Sequence, residues 1–500
     1  MKLPQSFYNW TSFIGAVIAI VSLFMIGFLF VISIFFAEGS SYLGLFLWIV
    51  LPTFLVLGLI IIPAGMIIQH GKERKKKIVY EKAWPKVDLN DPRTRNAAVI
   101  FGVGSVFFLL LSAVGSYEAF HYTESVKFCG TLCHEVMKPE YVAYQNSSHA
   151  RVACVECHVG SGADWYVRSK LSGLYQVYAV TLGTYPKPIP TPIMNLRPAR
   201  ETCEECHWPQ KFYARQLVVE KHYLSDQNNT EWDIHLQMKT GPAYSALGLQ
   251  EGIHWHINPD VKIEYVATEN TRQSIPWVRY TNSKSGEVYT YYDEENTITQ
   301  QQLDSLEVRI MDCMDCHNRP SHDYQTPGEF INNALTAGHI PKELPDIKSL
   351  AMTVLSGINF STTDSALNYI QTEVLNYYQS GYEDLFRNNK ATIEKAIAGI
   401  QEAFRKNVFP EMNVKWSAYQ NNIGHLEFMG CFRCHNDRHQ DKSGRIISRD
   451  CNLCHAIVAQ GVPDTLQVTS VNSMLEFVHP DDPDKVWQTE FCSDCHADLY

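Results

Sequence analysis

Every cysteine of this 500-residue chain belongs to a pair that is followed directly by a histidine. Two residues separate the cysteines in six pairs, and three separate them in the first, within CGTLCHEVM. A C-x-x-C-H run is the attachment signature of c-type haem, because two thioethers anchor the porphyrin and the adjacent histidine reaches the iron. The seven units are Cys129/Cys133/His134, Cys154/Cys157/His158, Cys203/Cys206/His207, Cys313/Cys316/His317, Cys431/Cys434/His435, Cys451/Cys454/His455 and Cys492/Cys495/His496.

Zinc sites and disulfides are the alternative uses of paired cysteines. Zinc ribbons need pairs of C-x-x-C but no histidine directly after each one. A disulfide framework would not impose a two-residue gap six times. The repeated motif therefore predicts a cytochrome with seven covalently attached haem c groups and iron as its metal.

Three apolar stretches precede the first motif. Residues 11–37 and 42–69 contain no Asp, Glu, Lys, Arg or His, and residues 97–117 carry no charge. Each reaches the ~20 residues that cross a hydrocarbon core of ~30 Å. We predict transmembrane helices at about 11–37, 42–69 and 97–118 in a membrane domain of residues 1–121. The first is longer than the apolar region of a cleaved signal peptide, so we interpret it as a retained anchor.

The charges between these stretches predict their orientation. Residues 70–96 contain nine Lys and Arg, whereas the first connector is only Glu38 to Ser41. The positive-inside rule places residues 70–96 and the N-terminus in the cytoplasm, and all seven motifs in the periplasm of a bacterial inner membrane. His70 and His121 fall at opposite membrane faces, so no haem pair within the bilayer is expected.

The remaining chain divides by motif spacing and composition. We predict a three-haem module at 122–211, a β-rich insert at 212–310, the fourth haem with a helical spacer at 311–424, and a C-terminal three-haem module at 425–500. IEYVAT, IPWVRYT and EVYTYYD are the strand signals of the insert. The predicted fold class is a multihaem cytochrome c, mainly α and irregular and packed around haems.

Six-coordinate haems need second ligands, and eleven histidines stand outside both the motifs and the cytoplasmic connector. In GIHWHIN, His254 and His256 share one face if the segment is extended, and we expect one of them to bind iron. His222, His235 and His339 stay open as ligands or solvated side chains. Five histidines close to a motif are expected to bind a neighbouring haem's iron: His149, His322, His425, His439 and His479.

The first haem is the natural exception to histidine pairing. Six second ligands serve seven haems on this count, and Met137 follows the first motif next to the membrane. Either Met137 or His134 could hold the first iron.

The formal net charge is −11, and haem propionates would make the periplasmic part more acidic. Basic soluble cytochromes are therefore plausible partners, and nucleic acid is not.

FCGTLCHEVM, SSHARVACVECHV and VRSKLSGLYQVY resemble the NapC/NirT/NrfH family of membrane-anchored quinol dehydrogenases. The resemblance covers roughly Thr123 to His207, and the whole chain is similar to the seven-haem, ImcH-like inner-membrane members from metal-reducing bacteria. It implies oxidation of menaquinol from the membrane quinol pool at the bilayer surface beside the first haem. The electrons would pass to periplasmic c-type cytochromes or a reductase subunit in anaerobic respiration.

The resemblance also implies residues for the quinol site. Met137 would be an axial ligand, although the family places its methionine one residue earlier. Lys170 or Arg168 matches the family's lysine, whereas Gln176 stands where an acidic residue is usual. The alternative proton acceptors are Glu135, Glu140 and Asp164.

Two other functions compete with quinol oxidation. The chain could be an electron-relay anchor subunit of a larger respiratory complex. It could also be a multihaem terminal reductase, although the C-x-x-C-K motif of familiar nitrite reductases does not occur in the sequence.

Overall fold

The computed structural model describes residues 9–35, 50–75, 88–160, 163–193, 197–209, 212–241, 252–356, 360–470, 473–481 and 484–497. The chain divides into two compact units, Met1–His134 and Glu135–Tyr500.

The first unit contains three long apolar helices, α1 (Trp10–Phe35), α2 (Leu51–Lys75) and α3 (Pro92–Glu124). Each is long and apolar enough to cross a membrane, which confirms the three predicted spans. Residues 36, 37, 42–49 and 76–87 of the predicted spans and connector lie outside the described residues. Helix α3 continues to Glu124, beyond the predicted end of the membrane domain, and α4 (Val126–Thr131) follows it.

Small residues let α1 and α2 approach closely. A Cβ atom added to Gly58 would lie 2.7 Å from the Ala19 nitrogen and 2.8 Å from the Gly15 oxygen. Ser12 Oγ donates a hydrogen bond of 2.9 Å to the Ile62 carbonyl oxygen on the facing helix. Close packing of this kind is how membrane helices associate where no hydrophobic driving force exists.

The second unit begins within helix α5 (His134–Gln145), which starts at the histidine of the first motif. Helix α6 (Cys154–His158) consists of the second motif. Helix α7 (Ala163–Leu182) follows, and α8 (Ala199–Cys203) leads into the third motif.

Two antiparallel sheets form the β-rich part. The four-stranded sheet has the order β1 (Gln216–Tyr223), β2 (Glu231–Met238), β8 (His455–Gly461) and β9 (Gln467–Val468). The five-stranded sheet has the order β6 (Arg309–Ile310), β3 (Val261–Val266), β4 (Trp277–Asn282), β5 (Val288–Asp293) and β7 (His439–Gln440). Strands β7, β8 and β9 come from the C-terminal region, so the insert that we predicted at 212–310 completes its sheets with residues of the predicted module at 425–500.

A helical module with a conventional apolar core follows α9 (Gln300–Ser305) and α10 (Cys313–Cys316). Its helices are α11 (Pro327–Thr336), α12 (Ile347–Leu355), α13 (Thr363–Gly381), α14 (Glu383–Asn388) and α15 (Lys390–Asn407). Apolar residues at helical spacing, such as Ile393, Ile397 and Ile400 of α15, form one buried cluster with α11, α12 and α13. The last helix, α16 (Cys492–His496), is the seventh motif.

Candidate haem centres

Six motif histidines each face a second histidine across a gap of nearly constant width. The second histidine comes from a distant segment in four pairs and from a nearby one in two. The separations between ring centroids are 6.1 Å for His158/His322, 5.9 Å for His207/His149, 6.4 Å for His317/His254, 5.8 Å for His435/His256, 6.1 Å for His455/His425 and 6.0 Å for His496/His479.

This width fits the predicted cofactor. Two imidazoles that bind one metal ion from opposite sides through bonds of about 2 Å place their ring centroids about 6 Å apart. A direct hydrogen bond between two rings would bring them closer than this. Each pair could therefore hold one haem iron, with the motif histidine on one side and the second histidine on the other.

The predicted attachment cysteines differ in how far the protein covers them. Ten are half-buried, and four are exposed, namely Cys157, Cys206, Cys451 and Cys495. Attachment segments of a few residues cannot cover their own thiols, and a haem must reach each thiol before a thioether can form. The attachment role of these four residues stays a prediction.

Backbone carbonyl groups orient several of the histidine rings. Nδ1 of His149 lies 3.1 Å from the Pro320 oxygen, Nδ1 of His256 lies 2.7 Å from the Ile253 oxygen, and Nδ1 of His435 lies 2.9 Å from the Ser448 oxygen. A carbonyl only accepts, so Nδ1 carries the proton and Nε2 keeps its lone pair. This tautomer is the one that binds a metal through Nε2.

Burial keeps many of these imidazoles neutral, as a metal ligand must be. Burial and the neighbouring His455 lower the pKa of His425 to about 4. Burial also lowers the pKa of other paired histidines, namely His158, His254, His256, His317, His435, His455 and His496.

His439 does not fit the predicted role of iron ligand. Its side chain is fully buried, its Nδ1 lies 2.9 Å from Asn436 Oδ1, and its Nε2 lies 2.7 Å from the Ile275 oxygen. Both ring nitrogens are therefore engaged by protein groups, and the histidine joins the sheet instead. The sequence places His439 beside a motif but does not reveal Ile275 as its partner.

The segment GIHWHIN also differs from the expectation that one of its histidines pairs. Ile253–Ile257 is a 3₁₀ helix rather than an extended strand, and His254 and His256 face the histidines of the fourth and fifth motifs, respectively. The number of second histidines is still six, because the second member of this segment takes the place expected for His439.

The second, third and fourth attachment segments contact one another in chain order. Helix α6 contacts α8, and α8 contacts α10. The thiols of Cys203 and Cys313, which stand where thioether sulfurs would be, lie close together. These three segments therefore form a continuous row.

The row continues from the fourth motif to the seventh. Arg433, inside the fifth motif, donates a hydrogen bond of 2.9 Å to the carbonyl oxygen of Asp315, inside the fourth. His435 contacts Ser448, just before the sixth motif, and the Arg449 guanidinium lies 5.4 Å from the ring centre of Phe491, just before the seventh. Neighbours in the sequence of motifs are thus neighbours in space.

The residues predicted for the quinol site lie on two helices. Met137 is half-buried on α5, whereas Arg168, Lys170 and Gln176 lie on α7. At about 100° per residue, Arg168 and Lys170 point to nearly opposite sides of α7, so only one of them can face a common pocket. The side chain of Asp164 lies outside the described residues.

Helix α7 also carries an exposed apolar stripe. Its members recur at i, i+3, i+4, i+7 and i+11, the spacing of one helix face. They are Leu171, Leu174, Tyr175, Tyr178 and Leu182.

Glu140, one of the candidate proton acceptors, lies in an ion cluster. Burial alone would raise the pKa of this carboxyl, but its contact with His322 and the charge of Arg319 outweigh burial and hold the pKa below its ordinary value. A lowered pKa makes this carboxylate a weaker base, and its role as a proton acceptor stays a prediction.

Comparisons with known proteins identify the family of the chain. Residues 91–188 match the NapC/NirT cytochrome c family, N-terminal region. The chain is 40% identical over 498 residues to the cytochrome c-type protein ImcH of Geobacter sulfurreducens, covering 99% of this chain and 96% of that protein. The chain belongs to the NapC/NirT cytochrome c family as an ImcH-like member.

A second relative covers about a third of the chain. The cytochrome c-type protein NrfH of Wolinella succinogenes is 29% identical over 165 residues, which are 32% of this chain and 92% of that protein. No solved structure matches the chain. This chain is therefore a membrane-anchored multihaem cytochrome of electron transport that carries covalent haem c, as the motifs predict.

Proposed function

We propose that this cytochrome oxidises menaquinol at the periplasmic face of the inner membrane and passes the electrons through seven haem c groups to periplasmic acceptors. The observation that carries the proposal is the continuous row from the second motif to the seventh, in which each motif or a residue next to it contacts the following motif or a residue next to that one. Such a row serves long-range electron transfer better than it serves a single catalytic centre.

The six histidine pairs are the proposed axial ligands of six of these haems. Low-spin haems with two histidine ligands reorganise little between oxidation states, and bis-histidine ligation gives low potentials that suit menaquinol as the donor. The first haem takes Met137 or His134 in this proposal, as the family resemblance implies.

When bound, each haem supplies one-electron redox chemistry, and the protein's part is position and tuning. A quinol gives up two electrons and two protons to become a quinone. The two electrons must leave singly, and the two protons go to the periplasm. Glu135 is exposed one residue after His134, and in this proposal it would accept the first proton.

The exposed stripe of α7 supports a quinol site at the lipid surface. Apolar and tyrosine side chains on one face, with Arg168 at its border, are typical of helices that lie in a membrane interface. A quinol that leaves the bilayer at such a face does not need to cross water. Arg168 is the better candidate than Lys170 for contact with a quinol oxygen, because it lies nearer to this stripe.

Stopped-flow reduction of the purified full chain by a menaquinol analogue tests the proposal. The haems of the wild type should become reduced after mixing with the analogue. Arg168→Gln should slow this reduction at least tenfold, while dithionite still reduces all haems. Lys170→Gln is the matched control and should have the smaller effect. No reduction of the wild type by any menaquinol analogue would contradict quinol oxidation and favour a relay subunit that receives electrons from a partner.

A further inference from the structure

The histidine pair of the second motif, His158/His322, has a carboxylate within 4 Å of a ring nitrogen, and no other described pair has one. Nδ1 of His322 lies 2.9 Å from Glu140 Oε2 and 3.1 Å from the Glu140 backbone oxygen. The N–H points towards the backbone oxygen, and the carboxylate lies alongside the ring. For His149, His256 and His435, the Nδ1 partner is a neutral backbone carbonyl.

One cation, Arg319, faces the carboxylate and is itself held by several contacts. Arg319 Nη2 lies 3.7 Å from Glu140 Oε1, and Arg319 Nε donates a hydrogen bond of 2.7 Å to the His322 carbonyl oxygen. The Arg319 guanidinium lies over the rings of Tyr324 and Tyr419, at 5.2 and 4.4 Å from their centres. Arg319 and Tyr324 are largely buried, so water screens this cluster weakly.

Glu140 connects the regions of the first and second motifs. Glu140 lies on α5, the helix that starts at the histidine of the first motif, while His322 pairs with the histidine of the second. The helix next to the proposed entry point thus touches the ligand of the next proposed haem.

We propose that Glu140 is a positioning residue that fixes the His322 ring and lowers the midpoint potential of the haem held by His158 and His322. This inference rests on the ligand pairs of the proposed function. A negative charge beside an axial imidazole makes the ring a stronger donor and stabilises the ferric state over the ferrous state. Arg319 offsets part of this charge, but its Nη2 lies 3.7 Å from the carboxylate, whereas Nδ1 of the ring lies 2.9 Å from it.

Potentiometric titration with redox mediators, followed by optical and electron paramagnetic resonance spectra, tests the inference without using quinol. Glu140→Gln removes the charge and keeps both the shape and the backbone carbonyl. We expect one of the low midpoint potentials to shift in the positive direction and the others to stay unchanged. Glu394→Gln is the matched control, because Glu394 is 61% exposed on α15 and pairs only with Lys390 at 3.7 Å; it should shift no potential.

The outcomes separate this inference from the proposed function. Unchanged midpoint potentials in Glu140→Gln, with all haems and their low-spin spectra intact, would overturn the role of Glu140 and leave quinol oxidation untouched. If Glu140→Gln does not retain its haems, Glu140→Asp becomes the test. Its withdrawn charge should give a smaller positive shift of one midpoint, and no shift would again overturn the proposal.

Discussion

The helical module and the haem-attachment segments belong to the same compact unit but are stabilised by different kinds of interior. The core of the module consists of side chains between Phe330 and Phe404 together with Tyr223, and many of them are fully buried. The attachment helices α6, α8, α10 and α16 have only four or five residues each, and α6 buries none of them. The comparison indicates that the module is stabilised by its own apolar surface, whereas the attachment segments need the haems as interior.

Loss of haem should therefore unfold the attachment segments and leave the helical module folded, and this is the largest effect we expect. In the full chain produced without haem attachment, α11–α15 should keep slow amide hydrogen exchange, and the attachment segments should exchange at nearly unfolded rates. Hydrogen-exchange mass spectrometry of haem-free and haem-loaded protein measures both regions at once. Equal protection of the attachment segments in the two forms would show that haem does not stabilise them.

A cavity in the module should destabilise the module and leave the haem region unchanged. Ile370 is fully buried, so Ile370→Ala should lower the free energy of unfolding of the module by about 2–5 kcal/mol. The haem spectra should not change. Denaturant unfolding followed by circular dichroism and by haem absorbance distinguishes the regions. Ile423→Ala is the control, because Ile423 is 54% exposed, and a similar loss there would contradict the assignment of the core.

Within the haem region, His425, which faces a motif histidine, can be compared with His439, which does not. His425→Gln should turn one low-spin haem into a high-spin haem, because the ring facing His455 is lost. His439→Gln should leave every haem low-spin and lower the free energy of unfolding by about 1–3 kcal/mol, because the buried ring loses its hydrogen-bonding contacts with Asn436 and Ile275. Electron paramagnetic resonance reports the spin states, and a high-spin signal from His439→Gln would restore His439 as a ligand.

The last prediction concerns a buried cation in the module. Burial lowers the pKa of Lys348 from an ordinary 10.5 to about 7. Between these values the unfolded chain binds the proton and the folded chain does not, so stability should rise with pH from about 7 to about 10.5. This contribution should be absent in Lys348→Met. Denaturant midpoints measured across this range check the prediction, and identical slopes in both proteins would contradict it.

Spacing and periodicity predicted much of this molecule, because the features involved are local in sequence. The three spans, the strands β3, β4 and β5 and the pairing of His149, His322, His425 and His479 with motif histidines follow signals of a few to some twenty residues. The partner of His439, the use of both His254 and His256, and the contact of Glu140 with His322 depend on segments far apart in the chain. The sequence does not predict that the insert and the C-terminal residues share sheets, because the pattern that predicts a strand does not identify the strand with which it pairs.

Near-infrared magnetic circular dichroism of the fully oxidised protein, together with its intact mass, tests the central claim most directly. The mass should correspond to seven haem c groups on the chain, and the charge-transfer bands should count six haems with two histidine ligands. Fewer than seven haems, or a majority with methionine or only one axial ligand, would contradict the assignment of the six histidine pairs.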